Sequence, residues 1–194
     1  MGKILCYIYE GMADFEISLL LHRIKNTGKR DIISISESLD KLTAQSGLHY
    51  FPDFRIDEIN EKEAPDEFEA LIIPGGPINN EQNAICRLAL KMIEAGKLVA
   101  AICFAPQFLG RAGILDRYAY TTSCSVEKIQ SLGCEDLFNR KNYVQKRTVV
   151  DRNLITAQGY AFVDFAKEVC AYLDIFDSKQ QEYEQIDRIK ESEL

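Results

Sequence analysis

Short apolar runs alternate with amphipathic segments along the chain. Residues 3–9, residues 68–73 and Leu98–Ile102 are runs typical of buried strands, and the last, LVAAI, is apolar throughout. Helical periodicity follows the first two runs, in residues 14–25 and in a stripe at positions 85, 88, 89, 92 and 93, and another helical stripe lies further along the chain at positions 162, 165, 166, 169, 170 and 173. This alternation predicts an α/β fold: a mostly parallel central sheet with helices on both faces and Leu98–Ile102 at its centre.

Further segments add to this framework. Arg30–Ser36 reads as another strand, and residues 42–51 contain Ser46-Gly47 between two β-prone runs, which predicts a hairpin inserted beside the main sheet. Shorter helices are expected near residues 106–112 and 125–131, and two strands at 144–150 and Leu154–Ala157. Beyond residue 177, Ser178 and Gln181 have capping-box spacing. We therefore expect one domain over residues 1–177, with residues 178–194 forming a surface helix of the same domain.

Composition narrows the possible partners. The 194 residues suit one domain, and the formal charge of −7, without a basic run, argues against binding nucleic acid or an anionic membrane surface. No apolar stretch is long enough to span a bilayer, and the first residues read as a strand instead of a signal peptide. The six cysteines have no CxxC spacing, which favours reduced thiols in the cytoplasm and predicts no metal and no cofactor.

Cys103 is the strongest candidate for chemistry. It lies where the apolar strand gives way to a helix, and Pro106 suits the first turn of that helix. Such a turn is typical of a nucleophile elbow, which raises a side chain above the carboxyl ends of the strands and close to a helix N-terminus that stabilises a thiolate. The alternative is that Cys103 is a small apolar residue that completes a core strand.

The order of several motifs resembles the ThiJ/PfpI superfamily. GMADFE follows the first strand, PGG follows the strand at residues 68–73, and AICFAP surrounds Cys103. GRAGILD follows the elbow helix, a pair of threonines comes next, and NLITA leads to VDFA. These matches cover most of the chain. They identify it as a member of this superfamily.

The resemblance implies a flavodoxin-like sheet, a fold related to class I glutamine amidotransferase domains, and a homodimer. It places Glu16 beside the sulfur of Cys103, where a carboxyl between apolar walls would have a raised pKa and could donate a hydrogen bond. It also implies that Gly75 and Gly76 form part of an oxyanion hole, and that Asp14 touches a ligand or caps the first helix. The alternatives are a solvated helix residue for Glu16 and a plain turn for the two glycines.

The sequence departs from the superfamily at its usual bases. Many relatives carry histidine directly after the cysteine or after the paired threonines, whereas this chain has Phe104 and Ser123, which we expect to line the substrate site. Of the two histidines present, His22 should point about 120° away from Glu16 on the same helix. His49 falls on the predicted hairpin. Neither is expected to be the base.

Four functions remain open. The first is an enzyme in which Cys103, paired with Glu16, hydrates or hydrolyses a small electrophile without a histidine base. In this respect the chain resembles isocyanide hydratases, which pair the elbow cysteine with a carboxylate of the first helix. The second is a non-catalytic sensor of oxidative stress in which an oxidant converts Cys103 to sulfinate. The third is an activity like that of glyoxalases or deglycases, and the fourth is binding through the fold without cysteine chemistry. Peptidase activity has the least support.

Overall fold

A computed structural model describes residues 2–78 and 84–191 of the chain. Seven strands of the described part form one sheet in the order β5-β2-β1-β6-β7-β9-β8. Their bounds are β1 Gly2–Tyr7, β2 Arg30–Ser36, β5 Phe54–Arg55, β6 Ala70–Ile73, β7 Leu98–Ile102, β8 Thr148–Asp151 and β9 Leu154–Ala157. All neighbouring strands are parallel except β8, which pairs antiparallel with β9. The predicted flavodoxin-like α/β fold is confirmed.

Seven α-helices lie in the described part. They are α1 Phe15–Thr27, α2 Ala64–Glu67, α3 Ala84–Glu94, α4 Pro106–Arg111, α5 Val126–Leu132, α6 Phe162–Tyr172 and α7 Lys179–Gln185. Helix α1 packs against α6, and α3 packs against α4. Every residue of β6 and β7 is buried. Because successive strand residues point to opposite faces, helices must cover both faces of the sheet at its centre.

The hairpin is confirmed as a small separate sheet. Leu42–Thr43 (β3) pairs antiparallel with His49–Tyr50 (β4). The strand predicted at 144–150 was wrong at its start, since β8 begins only at Thr148 and Tyr143 makes a single bridge to Tyr120. The edge strand β5 and the short helix α2 carry no strong periodic pattern, and the sequence did not predict them.

The C-terminal segment packs on the body of the protein. The hydroxyl of Ser178 accepts a hydrogen bond from the backbone of Gln181 at 3.1 Å, which confirms the predicted cap of α7. Ile186 is fully buried, and Lys167 on α6 forms an ion pair with Asp187 at 2.7 Å. One face of this segment is therefore part of the core.

The register of three strands places three loops side by side. Ile73 at the end of β6 pairs with Ala101 of β7, and Ile102 at the end of β7 pairs with Ala157, the last residue of β9. The loops that follow these strands leave the same edge of the sheet, because the strands are parallel. Ligands of open α/β sheets bind at this edge.

Candidate active site

Cys103 occupies a tight turn directly after β7. Its φ of +64° lies in the left-handed region, which only two other non-glycine residues of the described ranges 2–78 and 84–191 adopt. The turn is fixed on both sides: the Cys103 N–H donates to the carbonyl of Ala157 at 2.8 Å, and the Cys103 carbonyl accepts from the hydroxyl of Thr122 at 2.6 Å. A left-handed conformation in such a residue costs energy and is frequent at functional sites. The turn agrees with the predicted nucleophile elbow.

Glu16 meets this turn from the first helix. It lies in the first turn of α1 and is only 2% exposed. Its Oε2 accepts a hydrogen bond from the N–H of Gly75 at 2.8 Å, and its carboxyl group is hydrogen-bonded to the thiol of Cys103. The expected pair of Glu16 and Cys103 is thus present in the structure.

Two glycines enclose the pair. A Cβ atom on Gly75 would lie 2.5 Å from Oε2 of Glu16 and 2.6 Å from Cβ of Cys103. A Cβ atom on Gly159 would lie 2.7 Å from Oε1 of Glu16 and 2.9 Å from Sγ of Cys103. No side chain fits at these distances, so backbone forms two walls of the site.

Gly75 has a different role from the one expected. Its N–H already donates to Glu16, so it holds the carboxyl in place and is not an open oxyanion donor. Gly76 is buried, and a Cβ atom there would meet the Tyr9 hydroxyl at 2.7 Å. Tyr9 in turn donates to the carbonyl of Pro74 at 3.0 Å. Both glycines allow close packing around Glu16 and Tyr9, and the role of Gly76 in an oxyanion hole stays a prediction.

Ser123 stands where some relatives carry histidine. Its hydroxyl accepts the N–H of Gly159 at 2.8 Å and is hydrogen-bonded to the thiol of Cys103. Its own backbone N–H donates to the carbonyl of Cys103 at 3.0 Å. Phe104 is half-buried, and its backbone N–H donates to the sulfur. Two donors therefore point at sulfur.

The site shifts the pKa values of both Cys103 and Glu16. Burial, the charge of Glu16 and the hydrogen bond to its carboxylate raise the pKa of Cys103 to about 12, although Ser123 and the amide of Phe104 lower it. Burial raises the pKa of Glu16, against hydrogen bonds from Cys103 and Gly75 that lower it. Two acids in contact resist losing both protons. One proton therefore remains on the pair as the pH rises through neutrality.

Asp14 anchors the hairpin to the start of α1. It is buried, and Oδ2 accepts hydrogen bonds from the hydroxyls of Ser46 at 2.5 Å and Tyr50 at 2.9 Å. Burial raises the pKa of Asp14, but these bonds outweigh that effect and lower it. Asp14 is the N-cap residue of α1, as predicted, but its side chain makes no capping hydrogen bond to the helix. No described contact joins Asp14 to the sulfur.

Neither histidine contacts the site within the described chain. His22 is exposed on α1, where its Nε2 is paired with the amide of Asn26 at 3.0 Å. His49 is exposed on the hairpin, with Nδ1 at 3.4 Å from the hydroxyl of Thr43. Among residues 2–78 and 84–191, no three His, Cys, Asp or Glu side chains are placed to hold a metal ion. No described helix is long and apolar enough to cross a bilayer.

Gly159 is the residue of the site that sequence reasoning did not assign. It follows β9 on the chain and reaches Cys103 only because β9 lies beside β7 in the sheet. The signal available was its position two residues after a strand, the same offset that Gly75 has after β6. Gly75 and Gly159 each lie two residues beyond a strand that neighbours β7, and this shared position could have indicated that both glycines border Cys103.

Together, the sheet order, the strained cysteine turn and the buried carboxyl define the class: a flavodoxin-like α/β protein with a cysteine on a tight turn after β7, paired with a buried glutamate. The sequence model of the DJ-1/PfpI family matches residues 2–172, and the chain belongs to that family. It is similar to Deglycase TK1284 of Thermococcus kodakarensis, with 32% identity over 80% of this chain and 89% of the relative. It is also similar to Deglycase PfpI of Pyrococcus furiosus, with 30% identity over the same shares.

A solved structure agrees with this placement. The DJ-1 superfamily protein Atu0886 from Agrobacterium tumefaciens superposes with a TM-score of 0.80 at 26% identity, covering 95% of this chain and 96% of the other. The similarity therefore extends over the whole fold, including the strands that carry the site.

Proposed function

We propose that this protein is an enzyme in which Cys103 attacks a small electrophilic carbonyl compound and Glu16 transfers the proton. One observation carries the proposal: a partly exposed thiol on a strained turn is hydrogen-bonded to a carboxyl that is 2% exposed. A structural cysteine needs neither feature. The two relatives named deglycases support a substrate formed by a reactive aldehyde with a thiol or an amine.

The pair contains what an addition reaction requires. When the shared proton sits on Glu16, Cys103 is a thiolate. Its sulfur forms a bond to the carbonyl carbon, the C=O π electrons move to oxygen, and that oxygen takes the proton from Glu16. In a hemithioacetal of methylglyoxal, this carbonyl is the aldehyde that is freed when the carrier thiol leaves. The Glu16 carboxylate then moves the C–H proton of the adduct to the adjacent carbon, while the hydroxyl proton passes to the neighbouring oxygen, which gives a thioester. Water attacks the thioester carbon, the C–S bond breaks, a 2-hydroxy carboxylate leaves, and Glu16 and Cys103 keep one proton between them. No histidine takes part.

The test uses a hemithioacetal of methylglyoxal, with a small isocyanide as a second substrate. We expect turnover of the hemithioacetal by the wild type and loss of at least about 99% of it in Cys103→Ser. Cys134→Ser is the matched control, because Cys134 is the other cysteine of the described chain that is not buried. Turnover that survives in Cys103→Ser would refute the mechanism. Turnover of the isocyanide alone would assign hydration of that class instead.

A second function is favoured by the absence of a histidine contact to Cys103 in the part of the chain that the structure describes. Oxidation needs no general base: one peroxide converts the thiolate to sulfenate and releases water, and a second gives sulfinate. Hydrogen bonds from Glu16, Ser123 and the Phe104 amide would stabilise the product. Intact mass after graded peroxide tests this. Two added oxygens in the wild type, absent from Cys103→Ser and present in Cys134→Ser, would support a sensor.

We also propose a cytoplasmic homodimer. Two exposed aromatic side chains support the dimer: Phe15, next to Glu16 in the chain, is 52% exposed, and Phe51, next to the hairpin strand β4, is 69% exposed. The six cysteines, which form no disulfide within the described residues, support the cytoplasmic location. Sedimentation equilibrium should give twice the monomer mass of 22.1 kDa. Phe51→Ser should weaken the dimer, whereas a monomer at all concentrations would contradict the proposal.

A further inference from the structure

A polar cleft opens beside Ser123. Its volume is about 550 Å³, enough for a small organic molecule. We call it the Lys146 cleft. Its walls include Thr122, Ser123, Tyr143, Lys146 and Arg147.

The Lys146 cleft adjoins the turn of Cys103 through one residue, although Cys103 itself does not line it. Ser123 lines the cleft, and its hydroxyl is also hydrogen-bonded to the thiol of Cys103. A substrate whose electrophilic carbon reaches Cys103 can therefore extend past Ser123 into this space. No other side chain of the cleft wall is hydrogen-bonded to the sulfur in the described structure.

The charges on the wall have a single sign. Lys146 and Arg147 are its charged residues, and it contains no carboxylate, although the chain as a whole carries a formal charge of −7. Arg147 is neutralised by Asp164, which its Nη2 contacts at 2.6 Å. The ammonium of Lys146 has no hydrogen bond or ion pair with any residue in the described ranges 2–78 and 84–191. Lys146 is thus the cation left available to a ligand.

The backbone holds this cation next to the site. The carbonyl of Lys146 accepts a hydrogen bond from the hydroxyl of Thr121 at 2.9 Å. The carbonyl of Arg147 accepts from the N–H of Gln158 at 2.9 Å, and Gln158 precedes the glycine that borders the sulfur. The segment that carries Lys146 is therefore tied to the loop after β9, and its position relative to Cys103 is fixed before a ligand arrives.

We propose that the Lys146 cleft binds a carboxylate on the substrate, so that the enzyme prefers electrophiles that carry an anionic group away from the reacting carbon. This inference rests on the proposed function and names its substrate class. Lys146 supplies charge, and the hydroxyl of Tyr143, which within the described residues only accepts a hydrogen bond, from the Gln158 side chain, has its own proton available to donate to the carboxylate. Binding of the carboxylate should raise kcat/KM mainly by lowering KM, because the carboxylate takes no part in the reaction.

The experiment compares two hemithioacetals of methylglyoxal that differ in one group. One is made with N-acetylcysteine, which has a carboxylate, and the other with N-acetylcysteine amide, which is neutral. In the wild type at low ionic strength, kcat/KM should be up to roughly fivefold higher for the carboxylate, as expected for an ion pair with an exposed lysine. The ratio should fall to about one in Lys146→Gln and below one in Lys146→Glu.

Lys62→Glu is the matched control, since Lys62 is exposed and lies outside the cleft. A ratio that falls in the Lys146 variants but not in this control supports the inference. A ratio that stays unchanged in Lys146→Glu, or that falls equally in Lys62→Glu, overturns it.

A binding measurement keeps this inference separate from the proposed chemistry. If the wild type turns over neither hemithioacetal, the proposed function fails, and N-acetyl-S-methylcysteine and its amide are titrated into Cys103→Ser with calorimetric or NMR detection. If the double variant Cys103→Ser/Lys146→Glu binds N-acetyl-S-methylcysteine more weakly than Cys103→Ser does, but binds the amide equally well, the inference that the cleft binds a carboxylate is still supported. Equal binding of both probes, with or without Lys146, would overturn it.

Discussion

Replacing Gly159 by alanine should damage the site more than the fold. The new methyl carbon would lie 2.7 Å from Oε1 of Glu16 and 2.9 Å from Sγ of Cys103, whereas ordinary contacts begin at 3.4 Å. To reach an ordinary contact distance, the methyl group and the Glu16 carboxyl must move apart by about 0.7 Å. Overpacking of this kind costs about 1–3 kcal/mol of unfolding free energy. A shift approaching 1 Å in a reacting group lowers the rate roughly tenfold to hundredfold.

Two assays measure these effects. Urea unfolding gives the change in stability, and kcat/KM for the hemithioacetal, corrected for the folded fraction, gives the change in activity. Gly96→Ala is the control: its φ of +76° makes alanine unfavourable by about 1 kcal/mol, but no atom lies within 4 Å of the added carbon. If Gly159→Ala keeps the activity and the Cys103 alkylation rate of the wild type, the claim that the glycines position Cys103 and Glu16 is refuted.

Three further predictions follow from the same contacts. Ser123→Ala should raise the pKa of Cys103, because the lost hydroxyl lowers it, and should slow alkylation by iodoacetamide at neutral pH; an unchanged rate would contradict this. Ser46→Ala should cost about 1 kcal/mol at neutral pH by urea unfolding. The folded-state pKa of Asp14 lies below its ordinary 3.8, so the hydrogen bond from Ser46 stabilises the protein above pH 3.8. The difference in unfolding free energy between wild type and Ser46→Ala should vanish as the pH falls through the folded-state pKa. Ile186→Ala should cost about 2–5 kcal/mol, because a fully buried side chain is lost; a cost near zero would show that the C-terminal segment is not part of the domain core.

The features that sequence predicted best are those encoded locally. The strand Leu98–Ile102 is apolar at every position, and Pro106 marks the start of the next helix, so the turn at Cys103 follows from consecutive residues. Glu16 was assigned through the resemblance, because nothing in its own helix distinguishes it from a solvated acid. The central strand and the cysteine turn were therefore predictable from physical pattern, and the carboxyl partner was not.

Features that depend on register could not be predicted. Gly159 meets Cys103 because β7 and β9 pair with Ile102 opposite Ala157, a contact across more than fifty residues of chain. The commitment of the Gly75 N–H to Glu16 likewise depends on how β6 lies relative to α1. Asp14 has the position of a helix cap, but the hairpin hydroxyls provide a stronger competing set of donors. Tertiary contacts decided each of these cases.

The central claim is that Glu16 controls the ionisation of Cys103. The most direct measurement is the pH dependence of Cys103 alkylation by iodoacetamide, followed by mass spectrometry, in wild type and Glu16→Gln. Removing the carboxylate removes a charge that opposes the thiolate, so the high-pH step should move below the wild-type value of about 12. Superimposable pH profiles for the two proteins would contradict the account.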